Sequence, residues 1–432
     1  MLRRFKLGEQ GEAAILRLLR RPLDFTAPEA AAVAEIVGAV AKEGDAALLR
    51  YTARFDLVEL TPARLRVGPE EFAAARAQVP AEVVAALRLA RERISAYHER
   101  QKHESWTFEP GDGSRLGQRV TPLDRVGIYV PGGTAAYPSS VLMNAVPAKV
   151  AGVREIALVT PPGRDGEVNP LVLVAAEEAG VDEVYRVGGA QAIAALAFGT
   201  ATIPRVDKIT GPGNIYVTLA KKLVYGQVGI DMLAGPSEVA VVADETADPR
   251  LVAADLLSQA EHDSRAVPVL FTPAGELVER VEMELAQQLA ALPRAAIASR
   301  AVTGQGAAVV TPDVESAVRL ADAFAPEHLE LLVADPDRWL PQIGHAGTVF
   351  LGACAPEPVG DYLAGTNHIL PTGGTARFAS GLSVDDFVRK TSYVSLTPEA
   401  LAELAPAIQT LAEVEGLQAH ARAIRVRVEK EE

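Results

Sequence analysis

Over the first hundred residues the apolar positions recur every three or four residues, the period of helices with one buried face. The stretch "GEAAILRLLRR" (11–21) reads as a short arm. "TAPEAAAVAEIVGAVAKEGDAALLRYTARF" (26–55) opens with Thr26 and Glu29 at the spacing of a capping box. A long helix follows Pro80 through "AEVVAALRLARERISAYHERQ" (81–101), and "WTFEPGDGSRLGQRV" (106–120) carries the Gly-Asp-Gly turn of a hairpin. From about residue 125 the pattern becomes strand, glycine-bearing turn, helix: "RVGIYV" with "PGGTAAYPSS", "EIALVT", "EVYRVGGAQAIAALAFG", and "DKITGPGNIYVTLAKKLV". These four units predict a parallel sheet. A second series runs through "EVAVVAD", "AVPVLFT", "GAAVVT", "LELLVAD" and "GTVFLG" with helices between, so the fold class is α/β with two such series. The last fifty residues, beyond "GTARFASGLSVDDFVRKTSYVSL", read as a helical tail with a basic end, "HARAIRVRVEK".

With 432 residues, 49% hydrophobic and 23% charged, the chain is long enough for two or three domains with sizeable cores. Its formal charge of −14 argues against a nucleic-acid or anionic-membrane surface, since phosphate binding needs clustered Lys and Arg, and favours a small-molecule partner. Cys354 is the single cysteine, so no intrachain disulfide forms and a reducing compartment is permitted. The basic start "MLRRFKLGEQGE" lacks an apolar signal region and no apolar run reaches membrane-spanning length, so the expected location is cytoplasmic.

Candidate chemistry lies in the turns and helix ends. In parallel sheets ligands bind beyond the carboxyl ends of the strands, which makes the glycine turns of the first series the candidate cofactor surface. Gly132 and Gly133 permit close backbone approach and Ser139 or Ser140 can cap the following helix, although a structural turn explains these residues equally well. "TGPGNIYV" (210–217) lacks the third glycine of G-x-G-x-x-G, so the Rossmann fingerprint is absent. In "LLSQAEHDSR" (256–265), Gln259 and His262 stand three apart; on one helical face they reach one ligand or metal ion, or form only a solvated polar face. Glu327 and His328 follow Pro326, a residue favoured in a helix's first turn, where the dipole keeps a carboxylate ionised and an imidazole neutral. Asp361 and His368 fall in the Gly/Pro-rich loop "PVGDYLAGTNHILPTGG". His345 and Cys354 border an apolar strand and are assigned to packing.

Taken together, "GIYVPGGTAAYPSSVLMNAVPAKVAGV", "VGGAQAIAALAFGT", "DKITGPGNIYVTLAKK", "DMLAGPSEVAVVAD", "LLSQAEHD", "APEHLEL" and "PVGDYLAGTNHILPT" closely resemble the histidinol dehydrogenase family, in its order, from about residue 24 onward. The resemblance implies two incomplete Rossmann-like, aldehyde-dehydrogenase-like units, and NAD-linked oxidation of L-histidinol through L-histidinal to L-histidine, which ends histidine biosynthesis. It implies that Gln259, His262, Asp361 and His420 hold one zinc ion per subunit, with His420 coming from the partner in a homodimer that shares its active sites. Glu327 and His328 become the acid/base pair. Ser237 and Glu415 contact substrate, as do the zinc ligands and His328, while Tyr129, Gln191 and Asn214 contact NAD. The expected division is residues 1–23 as a helical arm, 24–128 with 237–382 as the zinc and acid/base domain, 129–236 as an inserted NAD domain, and 383–432 as a helical dimerisation tail. Glu415 and His420 are five apart, about 140° around an ideal helix, so they share a face only if Gly416 breaks it.

Overall fold

Strands rich in Val and Ala, buried on both faces, assemble into parallel sheets covered by helices. The computed structural model describes residues 1–19, 25–132 and 136–429. It falls into two units, Met1–Gln101 with Leu123–Phe387, and Lys102–Pro122 with the chain from Val388 onward.

The first unit holds two all-parallel sheets. One has five strands in the order Glu183–Arg186, Glu155–Thr160, Arg125–Tyr129, Lys208–Thr210, Gly229–Ile230. The chain steps outward from Arg125–Tyr129 on one side and then crosses to Lys208–Thr210 on the other. The switch point, where a crevice opens at the carboxyl ends, therefore lies between those two strands. The other sheet has six strands in the order Arg3–Lys6, Ala307–Val310, Val267–Thr272, Glu238–Ala243, His328–Leu332, Thr348–Leu351.

Two expected divisions are redrawn. Arg3–Lys6 is a strand at the edge of the six-stranded sheet, pairing with Ala307–Val310, so the amino-terminal arm is not wholly helical. Helices Ala27–Glu43 and Asp45–Phe55 place Val33, Ile36, Val40 and Leu48 in one core with Tyr129, Val159 and Ile209 of the five-stranded sheet and Ile193 of helix Gly189–Phe198. The segment 24–128, expected beside the zinc residues, thus supplies both a cover and the central strand Arg125–Tyr129 to the other sheet. The capping box at Thr26 and Glu29 is present.

The second unit is an antiparallel sheet, Val388–Leu396, Ser114–Pro122, Trp106–Phe108, followed by helices Pro398–Val414 and Gln418–Val428. The hairpin forms as expected. The tail is not all helix, because Val388–Leu396 pairs with Ser114–Pro122 along its whole length. No helix among the described residues is long and apolar enough to cross a membrane.

Candidate active site

The carboxyl edge of the five-stranded sheet and the amino edge of the six-stranded sheet share a cavity of about 610 Å³, within the range of small-molecule sites. From the first come Pro131, Tyr137, Ser140 and the turn Pro212, Gly213, Asn214. From the second come Ser237, Gln259, His262, Glu327 and His328, and a connecting segment adds Glu357, Asp361 and His368. Gly133 lies outside the described residues.

Gln259 sits near the end of helix Pro249–Ala260, which starts on an Asp248 cap and buries Val252, Ala253, Leu256 and Leu257 in the six-stranded core. His262 lies just past that helix, where its N–H donates to the Gln259 carbonyl at 3.2 Å. The pair reaches one cavity through this turn rather than along one continuous helical face. Gln259 is 1% exposed and its Oε1 has no hydrogen-bond partner, a costly arrangement that an electrophile in the cavity would relieve.

Glu357 was missed by the sequence reading, although the signal was present: it stands four residues before Asp361, and both ride one face of the short helix Glu357–Tyr362. The carboxylate oxygens of Glu357 and Asp361 and a ring nitrogen of His262 all lie within 4.8 Å of one another. Ser258 Oγ donates to Glu357 Oε2 at 3.0 Å, and the Glu357 N–H donates to Glu330 Oε1 at 2.7 Å. Burial, then the charge of Asp361, pushes the Glu357 carboxyl up to about 8; burial pushes Asp361 up to about 6. Crowded, buried carboxyls beside a histidine and an orphaned amide oxygen are an N/O donor set that fits a divalent ion such as zinc.

Glu327 and His328 do not open a helix. His328 is the first residue of strand His328–Leu332, and Glu327 immediately precedes it. Glu327 Oε2 accepts the Glu238 N–H at 2.9 Å, and His328 Nδ1 donates to the Glu238 carbonyl at 3.0 Å. A carbonyl only accepts, so Nδ1 carries the proton and Nε2 has a free lone pair. Burial, not a helix dipole, sets both charge states. It drives His328 down to about 3, so the ring is neutral as expected. It raises Glu327 well above the carboxylate range, with the Glu238 charge adding to the effect, the opposite direction from the one a helix's first turn would give.

His368 donates from Nδ1 to the Asp361 carbonyl at 3.1 Å, and its Nε2 stands 3.2 Å from Ser140 Oγ, which therefore donates to it. Neither Ser139 nor Ser140 caps helix Pro138–Ala151, whose cap position is Tyr137. Asn214 lines the cavity and caps helix Ile215–Val224, accepting from Tyr216 and Val217 N–H at 3.0 and 3.2 Å. Tyr129 and Gln191 are buried and do not line the cavity; the Tyr129 hydroxyl accepts the Gly189 N–H at 3.1 Å. In the second unit, Glu415 and His420 are exposed, and Gly416, at φ 73°, separates their helices as the spacing required. The packing assignment fails for Cys354, which is exposed, and for His345, whose Nδ1 pairs with Asp322 Oδ2 at 2.8 Å. A strand-flanking position is not a buried one when the strand has already ended, as it has at Leu351.

The sequence model of the family described as histidinol dehydrogenase matches residues 19–428. A histidinol dehydrogenase of Moorella thermoacetica is 58% identical, covering 93% of this chain and 94% of its own. One from a Synechococcus species is 56% identical over 92% of each chain. The crystal structure of histidinol dehydrogenase from Elizabethkingia anophelis superposes with a TM-score of 0.93 at 39% identity, over 99% of this chain and 98% of that one.

Proposed function

The chain belongs to the histidinol dehydrogenase family, and from that premise we propose that it is a cytoplasmic, zinc-dependent, NAD-linked oxidoreductase that converts L-histidinol through L-histidinal to L-histidine, the end of histidine biosynthesis. The observation that carries the reading is the placement of a neutral, Nδ1-protonated His328 and a buried Glu327 in the same cavity as the donors Gln259, His262 and Asp361. Those three, with His420 of the partner subunit in a homodimer, would hold zinc. When bound, zinc orients the imidazole and amine of the substrate and NAD accepts hydride. Ser237 lines the cavity and would contact substrate, as would Glu415. Asn214 meets NAD from the cavity wall, while Tyr129 and Gln191 act through the turn at Gly189 that the Tyr129 hydroxyl holds.

The protein's own groups divide the proton transfers. His328 Nε2 takes the hydroxyl proton of the alcohol, and later that of the aldehyde hydrate. Glu327 Oε2 is held by the Glu238 N–H, which leaves Oε1 to take a proton from the water that adds to the aldehyde. A carboxyl raised by burial is a stronger base once ionised than one in water, which suits that task near neutral pH. The test is purified protein with zinc, NAD and L-histidinol, following NADH and histidine together. Two NADH per histidine are expected; no NADH, or histidine without it, overturns the reading.

A further inference from the structure

We infer that Asn367 is a positioning residue for the reaction: it docks on a carbonyl that Pro147 leaves open, and so holds the His368 wall of the cavity at a fixed distance from the Ser140 wall. The inference rests on the dehydrogenase reading above and extends it to residues that do not touch the substrate.

Pro147 lies inside helix Pro138–Ala151. Having no N–H, it cannot close the helical bond to the carbonyl four residues earlier, that of Met143. A buried carbonyl left open in this way needs another donor. The donor is Asn367 Nδ2 at 2.7 Å, from a segment 224 residues along the chain. Asn367 Oδ1 accepts the Ile369 N–H at 2.9 Å, so the amide is held at both ends. An ordinary helical residue at 147 would satisfy Met143 within the helix. The proline instead hands that carbonyl to the residue beside His368.

A buried relay fixes the amide further. His98 is 0% exposed, and its Nδ1 stands 2.6 Å from Gln101 Oε1, which also accepts the Val384 N–H at 3.2 Å. An amide oxygen only accepts, so Nδ1 carries the proton and Nε2 accepts from Asn367 Nδ2 at 3.4 Å. Burial lowers the pKa of this imidazole, which keeps the ring neutral and the acceptor in place.

Ser140 and Met143 stand three apart on one helix face, and Asn367 and His368 are neighbours. Two bonds therefore join the same two elements: Met143 carbonyl to Asn367 Nδ2, and Ser140 Oγ to His368 Nε2 at 3.2 Å. His368 Nδ1 passes the constraint on to the Asp361 carbonyl at 3.1 Å. Tyr137 and Ser140 belong to the cavity wall that also carries Asn214, and Asp361 and His368 to the wall that receives the alcohol. The clamp thus sets the spacing across which hydride passes. A misplacement of about 1 Å in such a geometry costs on the order of 100-fold in rate.

The test uses full-length, zinc-loaded protein with NAD and L-histidinol, both ordinary and dideuterated at the carbinol carbon, alongside thermal unfolding and metal analysis. Asn367→Leu removes both donor contacts at similar volume. It is expected to lower kcat by about 10- to 100-fold with KM little changed, and to enlarge the deuterium isotope effect because hydride transfer becomes the slow step. It also leaves the Met143 carbonyl without a donor, so stability falls. Adding Pro147→Ala returns a helical N–H to that carbonyl. The double variant is expected to regain the unfolding temperature but neither the rate nor the wild-type isotope effect. Rate recovered together with stability in the double variant makes the role merely structural and overturns the inference. Wild-type kcat and isotope effect in Asn367→Leu, or a rate loss that follows lost zinc, overturns it too. If the single variant does not fold, the double variant decides by the same readouts. Wild-type protein that forms no NADH overturns the functional reading as well, whereas wild-type turnover matched by Asn367→Leu overturns this inference alone.

Discussion

One peptide group at Glu238 sets two side chains at once: its N–H holds Glu327 and its carbonyl holds the Nδ1 proton of His328. The two residues therefore present different chemistry from adjacent positions, and their substitution is expected to fail at different steps. Glu327→Gln keeps a hydrogen-bonding side chain but cannot take a proton, so it should still form NADH from histidinol yet stall when given histidinal. His328→Asn should slow both oxidations. Losses of about a hundred- to ten-thousand-fold are expected for a general base, measured as separate rates on the two substrates with folding and zinc content checked. Equal loss on both substrates for Glu327→Gln removes the division of labour. Cys354 is exposed and does not line the cavity, so Cys354→Ser is expected to leave both rates unchanged; loss of aldehyde oxidation alone would point to a thiolate route.

The turn after Lys208–Thr210 shows how an element is held in place for function. Gly211 has φ 113°, and a β-carbon there would strike the Tyr129 carbonyl oxygen, so only glycine lets the two strand ends meet at the switch point. Its two backbone groups are held by one buried ion pair: Asp231 Oδ2 accepts the Gly211 N–H at 2.8 Å, and Lys221 Nζ donates to the Gly211 carbonyl at 3.0 Å, while Lys221 and Asp231 pair with each other. Removing one partner leaves a buried charge without its counterion. Asp231→Ala is expected to cost about 3–5 kcal/mol in urea unfolding, more than the double replacement Lys221→Met with Asp231→Leu. A loss no larger in the single variant than in the double one would show that the pair is not the source of the stability.

Across the whole molecule, the tail is the part whose surface looks unfinished in a single chain. Leu411 and Val414 are 66% and 81% exposed, and Val394 and Val426 are also open to solvent. In the proposed homodimer another chain would cover these apolar side chains. With His420 on the same segment, the proposed shared site follows. Light scattering is expected to give a dimer, and mixing inactive His262→Ala with inactive His420→Ala protein should restore part of the activity through hybrid sites. Exchange of subunits without recovered activity would rule the shared site out.

Local periodicity was enough to read the two parallel series, the hairpin, the capping box and the absent Rossmann fingerprint, because each depends on residues close in the chain. The long motif strings carried the family for a related reason: each one is a turn or helix end whose residues act together. The upward shift of Glu327 was not legible, and the neutral His328 ring was expected for the wrong cause, since burial under neighbouring elements sets both and the first turn of a helix does not. Nor was the edge strand Arg3–Lys6, whose partner is some three hundred residues away, or the pairing of Val388–Leu396 with Ser114–Pro122. Glu357 belongs to both cases. Its spacing to Asp361 is plain in the chain, but only packing decides that one oxygen meets Ser258, 99 residues earlier, while the other is buried without a partner. Hydrogen-bond satisfaction and desolvation are properties of packed surroundings, and they come into being when the sheets close over the cavity.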